Sequence, residues 1–256
     1  MRKRRTTQNQ FETPSSRTLF NKMKLFLVYL TVLAVGLSST YAASTGKPDC
    51  DESILDQCGT GLFFFAKSTK VAGNAEELAK ACKDEMKDLD CVQNYANACL
   101  TGLARGMVQL LLDGCSKVIS EKCVPGSPKH AQYLDNVDCL NKAGDKIHPC
   151  MNQLSAVLEA SSEHPEGKHK VGLACCSFSD YQQCILNASR STCTESHTAY
   201  AGEIIQSYAG DLLDTVCVRY KSGSPACSSL PALHPPKKAR SQSLLPPLAA
   251  ILRTLG

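Results

Sequence analysis

The chain lacks several things that would fix a chemistry. It has no tryptophan among its 256 residues, so any core is built from aliphatic side chains with eight tyrosines and seven phenylalanines. Its fifteen cysteines include no C-x-x-C pair, and its six histidines show no ligand spacing, which argues against a zinc site or any other metal centre. No G-x-S-x-G, H-E-x-x-H or phosphate-cradling glycine loop occurs, so no catalytic residue or cofactor is expected. No stretch alternates polar and apolar residues for long enough to suggest a sheet. The longest apolar run, Leu25 to Leu37, is 13 residues, against the ~20 that a membrane span needs.

Charge excludes a further class. The formal net charge of +4 comes from the two ends: residues 1–24 hold seven Lys or Arg and one acid, and residues 228–256 hold four and none. The body between them carries 17 basic against 23 acidic residues. Nucleic-acid binding needs a basic stripe on the folded domain, and this domain is acidic, so no nucleic-acid partner is expected.

The N-terminal run has the shape of a secretory signal. Thr40 and Ala42 place small residues for cleavage before Ala43, so residues 1–42 are expected to be removed, with Met23 an alternative initiator behind an extended basic start. The mature form then has no membrane segment; an uncleaved signal anchor, with Arg2 to Arg5 on the cytoplasmic side, is the alternative. Residues 43–227 form the cysteine-rich domain. Residues 228–256, rich in proline and serine, are expected to be a disordered tail.

Within the body, apolar residues recur at helical spacing. Asp49 with Glu52, Asn74 with Glu77, and Ser127 before Pro128 mark helix starts. A new start is expected near Asp88 and Asp90, because Cys82 and Cys91 would face opposite ways on one unbroken helix. A stripe from Val92 through Tyr95, Cys99, Leu103 and Met107 predicts the next helix, ending near Cys123. A turn is predicted at Gly144 and a start or kink at His148-Pro149. Tyr200, Ile204, Tyr208, Leu212, Val216 and Tyr220 mark a last long helix opened by Thr194. The fold class is therefore all-α, a disulfide-stapled bundle of about six helices with no sheet.

Cys50, Cys58, Cys82, Cys91, Cys99, Cys115, Cys123, Cys139, Cys150, Cys175, Cys176, Cys184, Cys193, Cys217 and Cys227 are an odd set. Seven bridges leave one thiol free, buried, or available to join a second chain as a disulfide-linked dimer. Such density implies an oxidising compartment. Four pairs stand eight positions apart, Cys50/Cys58, Cys91/Cys99, Cys115/Cys123 and Cys176/Cys184. On a helix that is ~12 Å, too far to bond to each other, so each reaches a neighbour. Cys175 and Cys176 diverge by ~100° and should bind two different segments. The connectivity stays open. Asn187-Ala188-Ser189 is an N-glycosylation sequon. Tyr95, Tyr133, Tyr181, Tyr200, Tyr208 and Tyr220 sit at core spacings and read as packing residues with polar tips. CCSFSDYQQC invites comparison with the CCxxHDxC helix of secreted phospholipases, but Ser179 stands where the histidine would be, and Cys184 comes two residues late.

The residues LDQC at 55–58, CVQNYANACLTGL at 91–103, CLNKA at 139–143, HPCM at 148–151, ACCSFSDYQQC at 174–184 and LLDTVCVRYKSGSPAC at 212–227 span nearly the whole body. In them the chain resembles a family of secreted, cysteine-rich helical proteins of arthropods, similar to the insect 27 kDa hemolymph glycoproteins. The resemblance implies secretion into a body fluid and carries no biochemical activity with it. The expected function is that of a secreted, non-enzymatic extracellular glycoprotein of structural or binding role. A carrier of a small hydrophobic ligand lodged between helices is one alternative, and an unrecognised enzyme is another.

Overall fold

The computed structural model describes residues 50–255; the signal-peptide reading of residues 1–42 and Asp49 lie outside them. Eight α-helices and no strand are found among the described residues. They are α1 (Glu52–Gly59), α2 (Ala75–Cys99), α3 (Gly102–Lys122), α4 (Pro128–Glu163), α5 (Gly167–Arg190), α6 (Glu195–Val216), α7 (Pro225–Ser228) and α8 (Leu245–Leu252), followed by a 3₁₀ turn Arg253–Leu255. The all-α expectation holds. No described helix is long and apolar enough to cross a membrane.

Two predicted caps close helix starts. Asn74 Oδ1 accepts from the Glu77 N–H at 2.9 Å, and the Glu77 carboxylate accepts from the Gly73 N–H at 2.8 Å. Ser127 Oγ accepts from the His130 N–H at 3.0 Å, with Pro128 in the first turn, where its missing N–H leaves nothing unpaired. The first helix is capped by Asp51, which accepts from the Ser53 N–H at 2.9 Å.

Two expected boundaries move. α2 runs unbroken through Asp88 and Asp90, and the chain turns at Leu100–Thr101 instead. The opposed faces of Cys82 and Cys91 are both used: Cys82 bonds Cys123 at the end of α3, and Cys91 bonds Cys58 in α1. α4 likewise passes through both Gly144 and Pro149. Gly144 is not a turn; a Cβ there would stand 1.8 Å from the Thr69 carbonyl oxygen, so only glycine lets the 60–74 loop lie this close. Pro149 is held in the helix by its neighbours, since His148 Nδ1 donates to the Phe65 carbonyl at 2.7 Å and Cys150 is bonded to Cys184. Phe65, buried, has φ of 56°, an unfavourable value for a bulky residue that the packing around the loop enforces.

Seven disulfides use fourteen cysteines, with Cα separations between 5.3 and 5.9 Å. They form two networks that share no bond. In the first, Cys50 pairs with Cys99, Cys58 with Cys91, and Cys82 with Cys123, at sequence separations of 49, 33 and 41. In the second, Cys139 pairs with Cys193, Cys150 with Cys184, and Cys175 with Cys217, at separations of 54, 34 and 42. Taken in chain order, both halves join the first cysteine to the fifth, the second to the fourth and the third to the sixth. The chain therefore contains one stapled unit twice. α2 corresponds to α5, α3 to α6, and α1 to the middle of α4. Cys176–Cys227 is an addition to the second unit, tying α5 to α7. Cys175 and Cys176 bind different segments, as their divergence requires.

The equivalent helices α3 and α6 pack on each other where Gly114 meets Tyr208; a Cβ at Gly114 would stand 2.3 Å from the Tyr208 carbonyl oxygen. No disulfide crosses between the halves, so this packing, the 60–74 loop lying on α4, and α8 join them. The expectation of a disordered tail is overturned here. α8 packs on α1, α3, α4 and α5, and Leu244, Leu245, Ala249, Ile251 and Leu252 are all buried. Composition misled because proline and serine dominate the connecting stretch, while LLPPLAAIL is apolar enough to be driven into the core.

Candidate functional site

The fifteenth cysteine, Cys115, lies fully buried on α3 and unbonded. This overturns the disulfide-linked dimer through the odd thiol, because no second chain can reach it. Burial pushes its pKa up to about 12, with Lys122 only partly opposing, so it is neither a nucleophile nor a redox sensor. Asn187 is exposed on the last turn of α5, while Ser189 of the same sequon is fully buried and its hydroxyl has no hydrogen-bond partner.

A cavity of about 100 Å³ lies between α4, α5 and α6 and beneath α8, with Phe63, Phe64 and Leu111 of the first unit also in its wall. Phe63, Phe64, Phe178, Tyr181 and Tyr208 supply its aromatic wall, and Leu154, Ile205, Leu212 and Leu248 much of the rest. Two of the six tyrosines read as packing residues thus face a cavity. Of the others, Tyr95 and Tyr133 donate to the carbonyls of Cys50 (3.1 Å) and Ala72 (2.6 Å). Burial raises the pKa of Tyr181 and Tyr208, so both phenols stay neutral at the wall.

The correspondence between units shows what makes this space. Cys82 matches Cys175 and Cys123 matches Cys217, which carries Glu85 onto Phe178 and Lys122 onto Val216, both lining the cavity. In the first unit these two positions hold an ion pair, beside a cavity of about 140 Å³ whose lining includes Phe64, Glu85 and Tyr133. Lys122, 3% exposed, meets Glu85 at 2.7 Å, and its ammonium lies 5.2 Å from the Phe64 ring centre and 5.7 Å from that of Tyr133. Desolvation raises the Glu85 pKa, and Lys122 pulls it back in part. Sequence reading missed this pair. Glu85 sits in an acidic surface-like stretch and Lys122 in a helix's last turn, the place where a solvated lysine is ordinary.

The convergent polar groups are paired with each other under two aromatic rings, and the cavity wall offers only phenols and disulfide sulfurs as polar atoms. No group of His, Cys, Asp and Glu among the described residues is arranged to hold a metal. No protein-family model matches the chain, and comparison with characterised proteins and with solved structures returned no match either.

Proposed function

We propose that the chain is a secreted, non-catalytic extracellular protein of binding role, and that it carries one small apolar molecule in the cavity beneath α8. The observation that carries the reading is the wall itself, almost wholly apolar and rich in aromatic rings, in a molecule whose other half sets a buried ion pair at the corresponding positions. Seven disulfides in about two hundred residues support the extracellular part, since they persist only in an oxidising compartment. Membership of the arthropod hemolymph-type family and a glycan on Asn187 belong to the same proposal; the exposure of Asn187 supports the latter.

Native mass spectrometry of protein purified from its source, before and after organic extraction, tests the carrier. One extractable apolar molecule per chain is expected, not two, because the corresponding positions of the first unit carry the charged Glu85 and Lys122 in place of an apolar wall. Titration with the apolar fluorophore N-phenyl-1-naphthylamine should saturate at one per chain. A protein that arrives empty and binds no fluorophore leaves the structural role, to which the doubly stapled framework is equally suited.

A further inference from the structure

The cavity as it stands is too small for most carried molecules. About 100 Å³ is near the size of an engineered cavity that takes a single benzene, whereas ordinary ligand sites run to about 300–1,000 Å³. Something at the wall has to move, and the disulfides say what can. Every other helix at the cavity belongs to a cystine network; beyond Cys227 the chain carries no cysteine at all. The segment that follows crosses the surface without helix, exposes Lys237 and Lys238, and re-enters as α8. Leu244, Leu248, Ile251 and Leu252 then line the cavity along one side of this last helix.

The segment is pinned at its rim by carboxylates of the stapled body. Asp56 accepts from the backbone N–H groups of Gln242 (2.9 Å) and Ser243 (2.7 Å). Glu159 accepts from the Arg240 backbone N–H at 2.7 Å and from its guanidinium, which also meets Glu163. Arg253 closes the far end on Glu52 at 2.5 Å. The first unit has no counterpart of this segment, since α4 follows directly after Cys123 and its short turn. The segment is an addition to the duplicated framework, held by polar clips at its edge and by apolar contact beneath.

We infer that residues 241–255 are a displaceable cover, and that the ligand is an uncharged, largely hydrocarbon molecule which takes the place of the Leu244, Leu248, Ile251 and Leu252 side chains. This rests on the carrier reading. The exchange is apolar for apolar: surface that α8 withdraws from the wall is covered again by the ligand and not by water, so opening is driven by the ligand's presence. Vacating four branched side chains brings the site toward ~300 Å³ or more. A charged head would lie against a wall with no charge to pair it, which excludes free anions and cations as the buried part.

Hydrogen exchange and fluorophore binding on the full chain test the cover. Without ligand, the amides of α8 are expected to exchange at least about tenfold faster than those of α5, as a segment opening on its own would. Saturation with N-phenyl-1-naphthylamine should speed them further. The double variant Asp56→Ala/Arg240→Ala, which removes the Asp56 clip and the guanidinium contacts to Glu159 and Glu163 and changes no cavity residue, should bind the fluorophore about fivefold more tightly, since a larger open fraction raises apparent affinity. Exchange of α8 only in step with α5, added protection of α8 by the fluorophore, or equal or weaker binding by the variant would each overturn the inference. If neither protein binds the fluorophore, the carrier reading falls, and the ligand-free exchange rates alone decide whether the segment opens separately.

Discussion

Replacing Lys122 by methionine tests the account of the buried ion pair. The ammonium is almost fully enclosed, 2.7 Å from Glu85 and within 6 Å of two ring centres. Its loss leaves a carboxylate in an apolar place, a change that costs about 3 kcal/mol when the orphaned charge is fully buried. Glu85 has an escape, because its pKa is already raised by burial and can rise further by binding a proton. The sign follows. A carboxyl whose folded pKa lies above its unfolded value of 4.5 stabilises the fold relatively at low pH and withdraws that stability as pH rises through the folded pKa. Lys122→Met should therefore cost little near pH 5 and progressively more toward pH 8, with a slope of up to about 1.4 kcal/mol per pH unit. Combining it with Glu85→Leu should recover at least about 2 kcal/mol of the summed single losses at pH 8, since an apolar pair is what the second unit carries at Phe178 and Val216. Urea unfolding with the disulfides intact, at four pH values, measures all of this. A pH-independent loss, or strict additivity of the two substitutions, would refute the reasoning.

Four further outcomes follow from the geometry. A protease site placed in the exposed loop Val124–Ser127 and then cut should release two fragments under denaturing, non-reducing conditions, because no disulfide joins residues 50–123 to 139–227. Cys115 should resist a thiol reagent at pH 8 in the folded protein, react with one equivalent after denaturation, and leave the protein free of disulfide-linked dimer on a non-reducing gel. Ser189→Ala should abolish the glycan as Asn187→Gln does, but unlike it should raise the stability of the unglycosylated protein by about 1 kcal/mol, since the hydroxyl removed is buried without a partner. Desolvation works against the ionised Glu159 carboxyl, yet its bonds from Arg240 outweigh it and hold the pKa below 4.5, so that clip stabilises the closed cover at neutral pH and is lost as pH falls through the folded value. Exchange of α8, corrected for intrinsic rate, should then increase between pH 5 and pH 3.

Helix content and the caps at Asn74 and Ser127 were legible because they are local: a side chain three residues from the donor it satisfies is visible in one dimension. Faces read in strict steps of four were less secure. Each such step turns 400°, so the stripe drifts 40° per step away from the buried side. Met86, four residues beyond the buried Cys82, is 56% exposed, and Leu103, read in the stripe, is 44% exposed, while Val92 and Ala96 continue the true face of α2. The turn expected at Gly144 failed for a different reason. What glycine answers there is a carbonyl from a loop some seventy residues earlier, and no local signal encodes that approach. The cavity and the Glu85–Lys122 pair were invisible for the same cause, since both are made by segments meeting across the fold.

The repeat was written in the sequence and still concealed. Apart from the cysteines, little side-chain identity links the halves, and three extra cysteines, Cys115, Cys176 and Cys227, break the rhythm. Its physical meaning emerges from pairs of equivalent positions. Both copies keep the three cystines, because these fix how the helices cross. Between the cystines the copies are free to differ, and they differ most in what fills the space enclosed. Glu85 and Lys122 neutralise each other in one, and Phe178, Tyr181 and Val216 leave an apolar gap in the other. A framework held by covalent bonds tolerates both, since a void that would cost a purely packed core much of its stability is carried here by bridges worth about 2–5 kcal/mol each. The first copy is thereby free to keep a buried charged pair, and the second to keep an apolar site over which α8 lies.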